Sequence, residues 1–505
     1  MEPFNPNMPP CVLVIFGASG DLTWRKLVPA LYSLVHDDHL PEHLQILGVA
    51  RTEYSDEKFR QHLYEGVVEH GRIKPEKWEA FAGRLFYLSG SYDQPETFKR
   101  LRQRLAEFDE KSRTRGNRLY YLAIPPFLYP TVIRELGENG LNRSDEGWVR
   151  VIIEKPFGHD LESARHLNEQ VHTYFQEEQI YRIDHYLGKE TVQNILAFRF
   201  ANFIFQEIWG RNYVDHVQIS AMEQVGVGHR GGYYDQAGVV RDVIQNHLLQ
   251  LLALTAMEPP ISLDDETLRD EKVKLLQAVR PLEVADAAWG QYQGYLEEPD
   301  VDPESNTPTF VALKFHVNNW RWQGVPFYLR AGKGLRRKNT EITLLFKQVP
   351  HLIFPENLSP VSNELSICIQ PDEGMHLRFE LKIPGAQMRT SPVAMDFHYG
   401  ELFGDKALPE AYERLIMDAI EGDKSLFSRN DEIERAWELV TPLLDRWENM
   451  KDPPLEIYER GVLNPSASDR LLSRDSRKWV ICCHELEGDT GWRYRQMMDQ
   501  SGSEP

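Results

Sequence analysis

Nine consecutive residues, Arg182-Ile183-Asp184-His185-Tyr186-Leu187-Gly188-Lys189-Glu190, set acids, an imidazole, a phenol and two cations side by side. Cations beside a group that titrates near neutrality can hold an anionic substrate while a proton is taken from it. If the second half of the string is helical, His185 and Lys189 lie four apart and face one way, with Tyr186 flanking. A charged, solvated helix fits the same residues. A second cluster, Arg241-Asp242-Val243-Ile244-Gln245-Asn246-His247, puts polar groups into a hydrophobic segment, where they are costly unless paired or used. His247 is then either a satisfied core histidine or a base whose tautomer a carboxylate such as Asp184 fixes. Glu223 precedes a flexible stretch at 226–232. Lys333 and Lys338 lie in a basic segment at 330–338 that also fits a solvated turn.

Upstream, Gly17-Ala18-Ser19-Gly20-Asp21-Leu22-Thr23 joins an apolar run to a helical pattern. Glycines let a backbone approach a pyrophosphate, and a helix N-terminus offers unpaired N–H groups to it. The spacing is GxxG, with Thr23 in the place of a third glycine, so an ordinary loop stays open as a reading. Arg51 follows the second apolar run with no Asp or Glu directly before it. A cation there favours the 2′-phosphate of NADP, where NAD-specific sheets carry an acid. Lys26, one turn into the first helix, is a second candidate for the phosphates. Glu154-Lys155-Pro156-Phe157-Gly158 follows another apolar run. Lys155 is extended because proline follows it, and it can reach both cofactor and substrate; a plain turn fits too.

These residues need a scaffold. Residues 11–16 form a continuous apolar run, the mark of a strand buried on both faces. Strand-like segments at 44–50, 85–88, 118–123 and 149–153 alternate with helical ones, which predicts a parallel, doubly wound sheet. In such sheets ligands bind at the carboxyl edge, where Pro125-Pro126 marks a loop. Beyond about residue 190 the pattern changes. Residues 235–257 read as one long helix, and 310–317, 342–346, 365–369 and 377–383 alternate like half-exposed antiparallel strands. Helical segments follow near 408–420 and 429–448. The expected organisation is an α/β dinucleotide-binding, Rossmann-like domain at 10–190, then a larger α+β domain at 191–490 with a mainly antiparallel sheet. Residues 1–9 and 491–505 read as flexible tails.

With 505 residues and a formal charge of −20, the chain is too long for one ordinary domain and poorly suited to polyanions. Nucleic acid is not an expected partner, but a local basic pocket can still hold one small phosphate. The four cysteines, Cys11, Cys368, Cys482 and Cys483, show no metal or disulfide spacing and read as thiols in a reducing compartment. No metal is expected. The first residues lack the pattern of a secretory signal, and no window suggests a membrane span, so a cytoplasmic address is the default.

Taken together, the pieces resemble the glucose-6-phosphate 1-dehydrogenase family. They are GASGDL at 17–22, Arg51, Tyr121 in LYYLAIPP, EKPFG at 154–158, RIDHYLGKE at 182–190, RDVIQNHLLQ at 241–250 and RAGKGLRRK at 330–338. Thr23 departs from the family's usual Ala, and Val462-Leu463-Asn464 stands where a Ser-Trp-Gly-like stretch is expected. The resemblance implies oxidation of β-D-glucose 6-phosphate at C1, with hydride transfer to NADP+. His247 is implied as the general base and Asp184 as its orienting carboxylate. His185, Tyr186 and Lys189 would bind the phosphate, while Glu223, Asp242, Lys333 and Lys338 hold sugar hydroxyls or complete the anionic pocket. Lys155 would touch both ligands. Gly17, Ala18, Ser19, Gly20, Asp21, Leu22, Lys26, Arg51 and Tyr121 would line the coenzyme. The family's habit further implies a homodimer or homotetramer formed through the antiparallel sheet.

Overall fold

Short β-branched and aromatic runs set the strands, and the computed structural model places sixteen of them in two sheets among the described residues, which are 8–41, 43–351, 353, 362–385, 388–404, 408–450 and 454–481. The expected tail at 491–505 and Cys482 and Cys483 lie outside these residues, as do residues 1–7 of the expected N-terminal tail. In chain order the strands are β1 (Val12–Phe16), β2 (Gln45–Ala50), β3 (Leu85–Ser89), β4 (Arg118–Leu122), β5 (Val149–Ile153), β6 (Ile180–Ile183), β7 (Val214–Met222) and β8 (Ala287–Tyr292). Then come β9 (Phe310–His316), β10 (Pro326–Gly332), β11 (Asn339–Phe346), β12 (Glu364–Gln370), β13 (Gly374–Lys382), β14 (Thr390–His398), β15 (Phe427–Ser428) and β16 (Leu455–Tyr458).

The chain divides into two units. The first comprises residues up to Glu190 together with Pro260–Glu271 and Leu408–Glu434. Its seven-stranded sheet runs β15-β6-β5-β4-β1-β2-β3. Both faces are covered: Val12, Val14 and Phe16 pack into a core with Phe98, Leu101, Leu105 and Phe108 of the helix Pro95–Ser112, while Leu13 and Ile15 are equally buried on the other face. Helix-period residues on one side and a strand buried on both sides are what a doubly wound layer demands. The sheet is parallel except for β15, which pairs antiparallel with β6. This two-residue strand returns from far along the chain, and linear division of the sequence does not anticipate it. The segment that brings it back is anchored by a bidentate pair, with Arg72 Nε and Nη2 each 2.8 Å from the Glu413 carboxylate.

The second unit comprises Thr191–Pro259, Lys272–Ala407 and residues from Arg435 onward. Its nine-stranded sheet runs β14-β13-β12-β11-β7-β10-β9-β8-β16 and is antiparallel but for two pairs, β7 with β10 and β8 with β16. The expected long helix at 235–257 is in fact three pieces. Gly231–Val239 ends in a break at Gly238 (φ 64°, ψ 173°), Val240–Leu248 is π-helical, and Leu249–Ala256 is an α-helix. Hydrophobic periodicity does not register a π-turn, because the apolar stripe continues through it; the hydrogen-bond register alone changes. Asn246 fastens this turn, donating from Nδ2 to the Arg241 carbonyl (3.1 Å) and accepting from the His247 N–H (2.7 Å). The helix ends under a clamp. Arg199 donates to the carbonyls of Leu254 and Met257 at 2.6 and 2.7 Å. The indoles of Trp209 and Trp322 take those of Thr255 and Ala256, each at 2.7 Å.

Cys368 is disulfide-bonded, which corrects the expectation of a thiol there; Cys11 is free and buried, and burial pushes its thiol up to about 12. Among the described residues no helix is long and apolar enough to cross a membrane.

Candidate active site

Parallel strands send their carboxyl ends to one edge, and in the first unit that edge collects the predicted residues. The glycine loop leaves β1, Arg51 leaves β2, Glu154-Lys155 leaves β5 and Asp184–Lys189 leaves β6, all pointing the same way along paired parallel strands. This is the crevice position of open α/β sheets.

Gly17 has φ +87°, and a Cβ there would sit 2.0 Å from the Ala123 carbonyl oxygen, so only glycine fits. Its N–H donates to the Val49 carbonyl and the Tyr92 hydroxyl, both at 2.9 Å. Thr23 is wholly buried and donates to the Gly17 carbonyl at 3.2 Å. The departure from the glycine pattern is therefore a stitch across the loop, not a loss of it. Ser19 meets Thr52 at 3.0 Å, which ties the loop to the residue after Arg51. Arg51 is exposed, and its charge acts on Asp93 and on Tyr92, whose hydroxyl meets the Gly17 N–H. The backbone cradle and the exposed guanidinium of Arg51 fit a dinucleotide with a 2′-phosphate. Tyr92 was missed by sequence reading; its only signal is a phenol shortly after β3 on the same edge.

Two predicted cofactor residues have protein partners. Lys26 is 3.0 Å from the Glu410 carboxylate, so its ammonium has a protein partner. Tyr121 is fully buried in β4 and donates to Glu154 Oε1 at 2.5 Å, reaching the edge through that carboxylate instead of presenting its own surface. Burial pushes the Glu154 carboxyl above its ordinary range, and the hydroxyls of Tyr121 and Tyr412 pull the other way. Lys155 follows, and the Lys155–Pro156 peptide is cis.

The nine-residue string is not helical in its second half. Arg182 and Ile183 end β6, Asp184 to Lys189 form successive turns, and the helix starts at Glu190. The turns are closed by Leu187 N–H to Asp184 O (3.0 Å) and Lys189 N–H to Tyr186 O (3.1 Å), while Asp184 Oδ1 accepts from Tyr186 N–H at 3.0 Å. The expected i,i+4 pairing of His185 with Lys189 is thus replaced by turn geometry. Gly188 leaves room for a neighbouring segment, because a Cβ there would meet the Ala411 carbonyl at 2.5 Å. Lys189 Nζ lies 5.4 Å from the Tyr186 ring centroid, and the His185 ring stacks parallel to Tyr412 at 6.3 Å. One of the two cations is structural: Arg182 is buried, 2.7 Å from Glu177 and 3.0 Å from Asn168. Tyr412 lies more than 200 residues downstream, and no local sequence signal marks it.

In the second unit, the parallel pair of β7 and β10 brings Glu223 and Lys333 out at the same end, since Met222 faces Gly332 in register. Lys333 Nζ is 2.7 Å from Glu223 and 3.8 Å from Asp242. Asp242 and His247, both buried, sit five apart in the π-turn, the separation that its i→i+5 bonding places over itself. The π-turn packs on β7 and β10. The basic segment at 330–338 is not uniformly solvated. Arg330 is fully buried, donates to Ser220 Oγ (2.8 Å) and to Asn464, and stacks 4.1 Å from the Trp479 ring. The departing stretch at 462–464 therefore packs on this segment, and Val462 O also accepts from Arg336 N–H at 3.0 Å. Lys338 ends the segment, directly before β11.

Comparisons with known proteins point to one family. Residues 14–194 match the family model "Glucose-6-phosphate dehydrogenase, NAD binding domain", and residues 196–480 match "Glucose-6-phosphate dehydrogenase, C-terminal domain". The chain is 47% identical over 483 residues to the glucose-6-phosphate 1-dehydrogenase of Aggregatibacter actinomycetemcomitans, covering 93% of this chain and 97% of that protein. It is 45% identical over 471 residues to "Glucose-6-phosphate 1-dehydrogenase 5, cytoplasmic" of Arabidopsis thaliana, covering 92% and 90% of the two. A solved structure described as glucose-6-phosphate dehydrogenase in complex with its substrate superposes with a TM-score of 0.88 at 38% identity, over 94% of this chain and 99% of that one.

Proposed function

The chain belongs to the glucose-6-phosphate dehydrogenase family, and from that premise we propose which of its residues carry each part of the reaction. It oxidises β-D-glucose 6-phosphate at C1 to 6-phospho-D-glucono-1,5-lactone, the first oxidative step of the pentose phosphate pathway. Bound NADP+ supplies the hydride acceptor. Gly17 to Leu22 cradle its phosphates through backbone N–H groups, Arg51 takes the 2′-phosphate, and Lys155 holds the cofactor against the sugar. His247 removes the C1 hydroxyl proton, and Asp184 stabilises the imidazolium that results. His185, Tyr186 and Lys189 bind the substrate phosphate, whose remote binding energy aligns C1 for transfer. Glu223, Asp242, Lys333 and Lys338 receive the sugar hydroxyls or complete the anionic pocket.

The observation that carries this reading is the single sheet edge that gathers the glycine loop, Arg51, Lys155 and the turns at 184–189. The test is absorbance at 340 nm with NADP+ and either glucose 6-phosphate or free glucose. Two charge-assisted phosphate contacts are worth about 3–6 kcal/mol together, so kcat/KM should favour the phosphate by roughly 10²–10⁴-fold. Comparable values for the two sugars would remove the phosphate pocket from the scheme. Replacing Arg51 by Ala should raise KM for NADP+ at least about tenfold and leave NAD+ nearly unchanged, because the lost charge meets only the 2′-phosphate; equal losses contradict the assignment.

Homo-oligomerisation through the antiparallel sheet belongs to the same proposal. Met395 on the edge strand β14 and Leu381 on its neighbour β13 are 64% and 51% exposed, and Leu402 and Phe403 just after β14 are exposed as well. Exposed apolar residues on and beside an edge strand are what a partner copy can cover. Met395→Glu should shift sedimentation toward a smaller species, and an unchanged profile would place the interface elsewhere. A cytoplasmic location is supported by the plant relative's name.

A further inference from the structure

Lys333 is an unusual lysine, only 6% exposed, and its ammonium meets three different surroundings at once. Glu223 lies at 2.7 Å, Asp242 at 3.8 Å, and the ring centroid of Tyr234 at 5.2 Å. Its backbone is pinned as well, with the N–H on Thr309 O at 3.0 Å and the carbonyl accepting from Tyr458 at 2.7 Å. Two carboxylates alone do not fix an ammonium between them. The nearer one, Glu223, is 37% exposed on its side chain and can carry the cation outward with it. A buried aromatic face closes the side that the carboxylates leave open.

Tyr234 lies in the helix Gly231–Val239, is 1% exposed, and packs its ring 6.4 Å from that of Tyr295. Its hydroxyl is buried and finds no hydrogen-bond partner among the described residues. A buried phenol with an idle hydroxyl is kept for its ring and not for its O–H. An aromatic face draws a desolvated ammonium by its quadrupole without neutralising the charge. The cation therefore stays available to an anionic or hydroxyl-bearing ligand.

We infer that the ring face of Tyr234 is a positioning element for Lys333, holding the ammonium between Glu223 and Asp242 in readiness for the sugar phosphate. The inference rests on the assignment of Lys333 to substrate binding. The residue acts through Lys333 and touches neither reacting atoms nor cofactor.

The experiment compares KM and kcat for glucose 6-phosphate in Tyr234→Phe, Tyr234→Leu, Lys333→Gln and the Tyr234→Leu/Lys333→Gln double variant. Tyr234→Phe should stay within about twofold of the parent, because it deletes only the idle hydroxyl. Tyr234→Leu should raise KM about tenfold with kcat within about threefold. Added to Lys333→Gln it should cost nothing further, since the ring has then lost its cation. Placing phenylalanines of increasing fluorination at position 234 weakens the quadrupole without emptying the space, and KM should climb with each fluorine. This series stands even where the leucine variant fails to fold. A flat series, or a phenylalanine variant as impaired as the leucine one, overturns the inference. A parental KM in Lys333→Gln removes Lys333 from substrate binding, and the role of Tyr234 falls with it. A raised KM in that variant with a parental KM in Tyr234→Leu overturns the positioning role alone.

Discussion

Replacing His247 by Asn should lower kcat by about 10²–10⁴-fold while KM for glucose 6-phosphate stays within a fewfold, as expected for loss of a general base with binding intact. Asn keeps a polar side chain at a site only 3% exposed, so the π-turn is spared an empty cavity. The pH profile sharpens the test. The parent should lose activity as acid protonates the base; the variant, with no imidazole at that position, should lose this limb. Asp184→Asn should also be slow, and the double variant should be no slower than the worse single one, because members of one proton-transfer unit are not additive. Near-parental turnover in the His247 variant would take the residue out of this role.

Gly17→Ala should be nearly as damaging by a different route. The added methyl meets the Ala123 carbonyl at 2.0 Å, and φ at +87° is already unfavourable for a residue with a Cβ. The left-handed backbone alone costs roughly 1–2 kcal/mol. Ala123 cannot yield freely, since its N–H is bonded to Phe16 O at 3.0 Å in the pairing of β1 with β4. NADP+ affinity, read by titration of intrinsic fluorescence, should fall at least about 100-fold, with a lower melting temperature in the coenzyme-free protein. Parental affinity in this variant would show that the loop does not carry the phosphates.

Much of the scaffold is readable from the residues, and the reasons differ by element. The apolar run at residues 11–16 becomes β1, with all of Val12 to Phe16 buried, because continuous β-branched and aromatic residues suit only a strand covered on both faces. The alternating runs become β9, β11, β12 and β13 to within a few residues at each end, the usual slack of strand boundaries. Turn chemistry was harder to read. His185 and Lys189 are four apart, but the Asp184 carboxylate and carbonyl take the N–H groups of Tyr186 and Leu187 and hold the chain in turns until the helix starts at Glu190, and i,i+4 spacing says nothing of that. The π-turn is hidden for a related reason: Asn246 closes a ring of hydrogen bonds that leaves no trace in hydrophobic periodicity.

Long-range partners were the least legible part of the site. Glu410, Tyr412 and Glu413 reach Lys26, His185 and Arg72 from another part of the chain, and nothing near either partner announces them. Tyr121 illustrates a different gap. The family resemblance implies it as a coenzyme contact, but its strand is buried on both faces, and its hydroxyl meets Glu154.

The clamp at the end of Leu249–Ala256 bears on how the imidazole can move. Helices usually fray at their carboxyl ends, where the last carbonyls lack acceptable donors. Here Arg199, Trp209 and Trp322 hold four successive carbonyls, from Leu254 through Met257. Amides in this last turn should accordingly exchange with deuterium only through large-scale opening, at rates close to those of the central strands. His247, seven residues before the first clamped carbonyl, then rides on a stiff rod, and its excursions during turnover are confined to the segment between the Gly238 break and this anchored end.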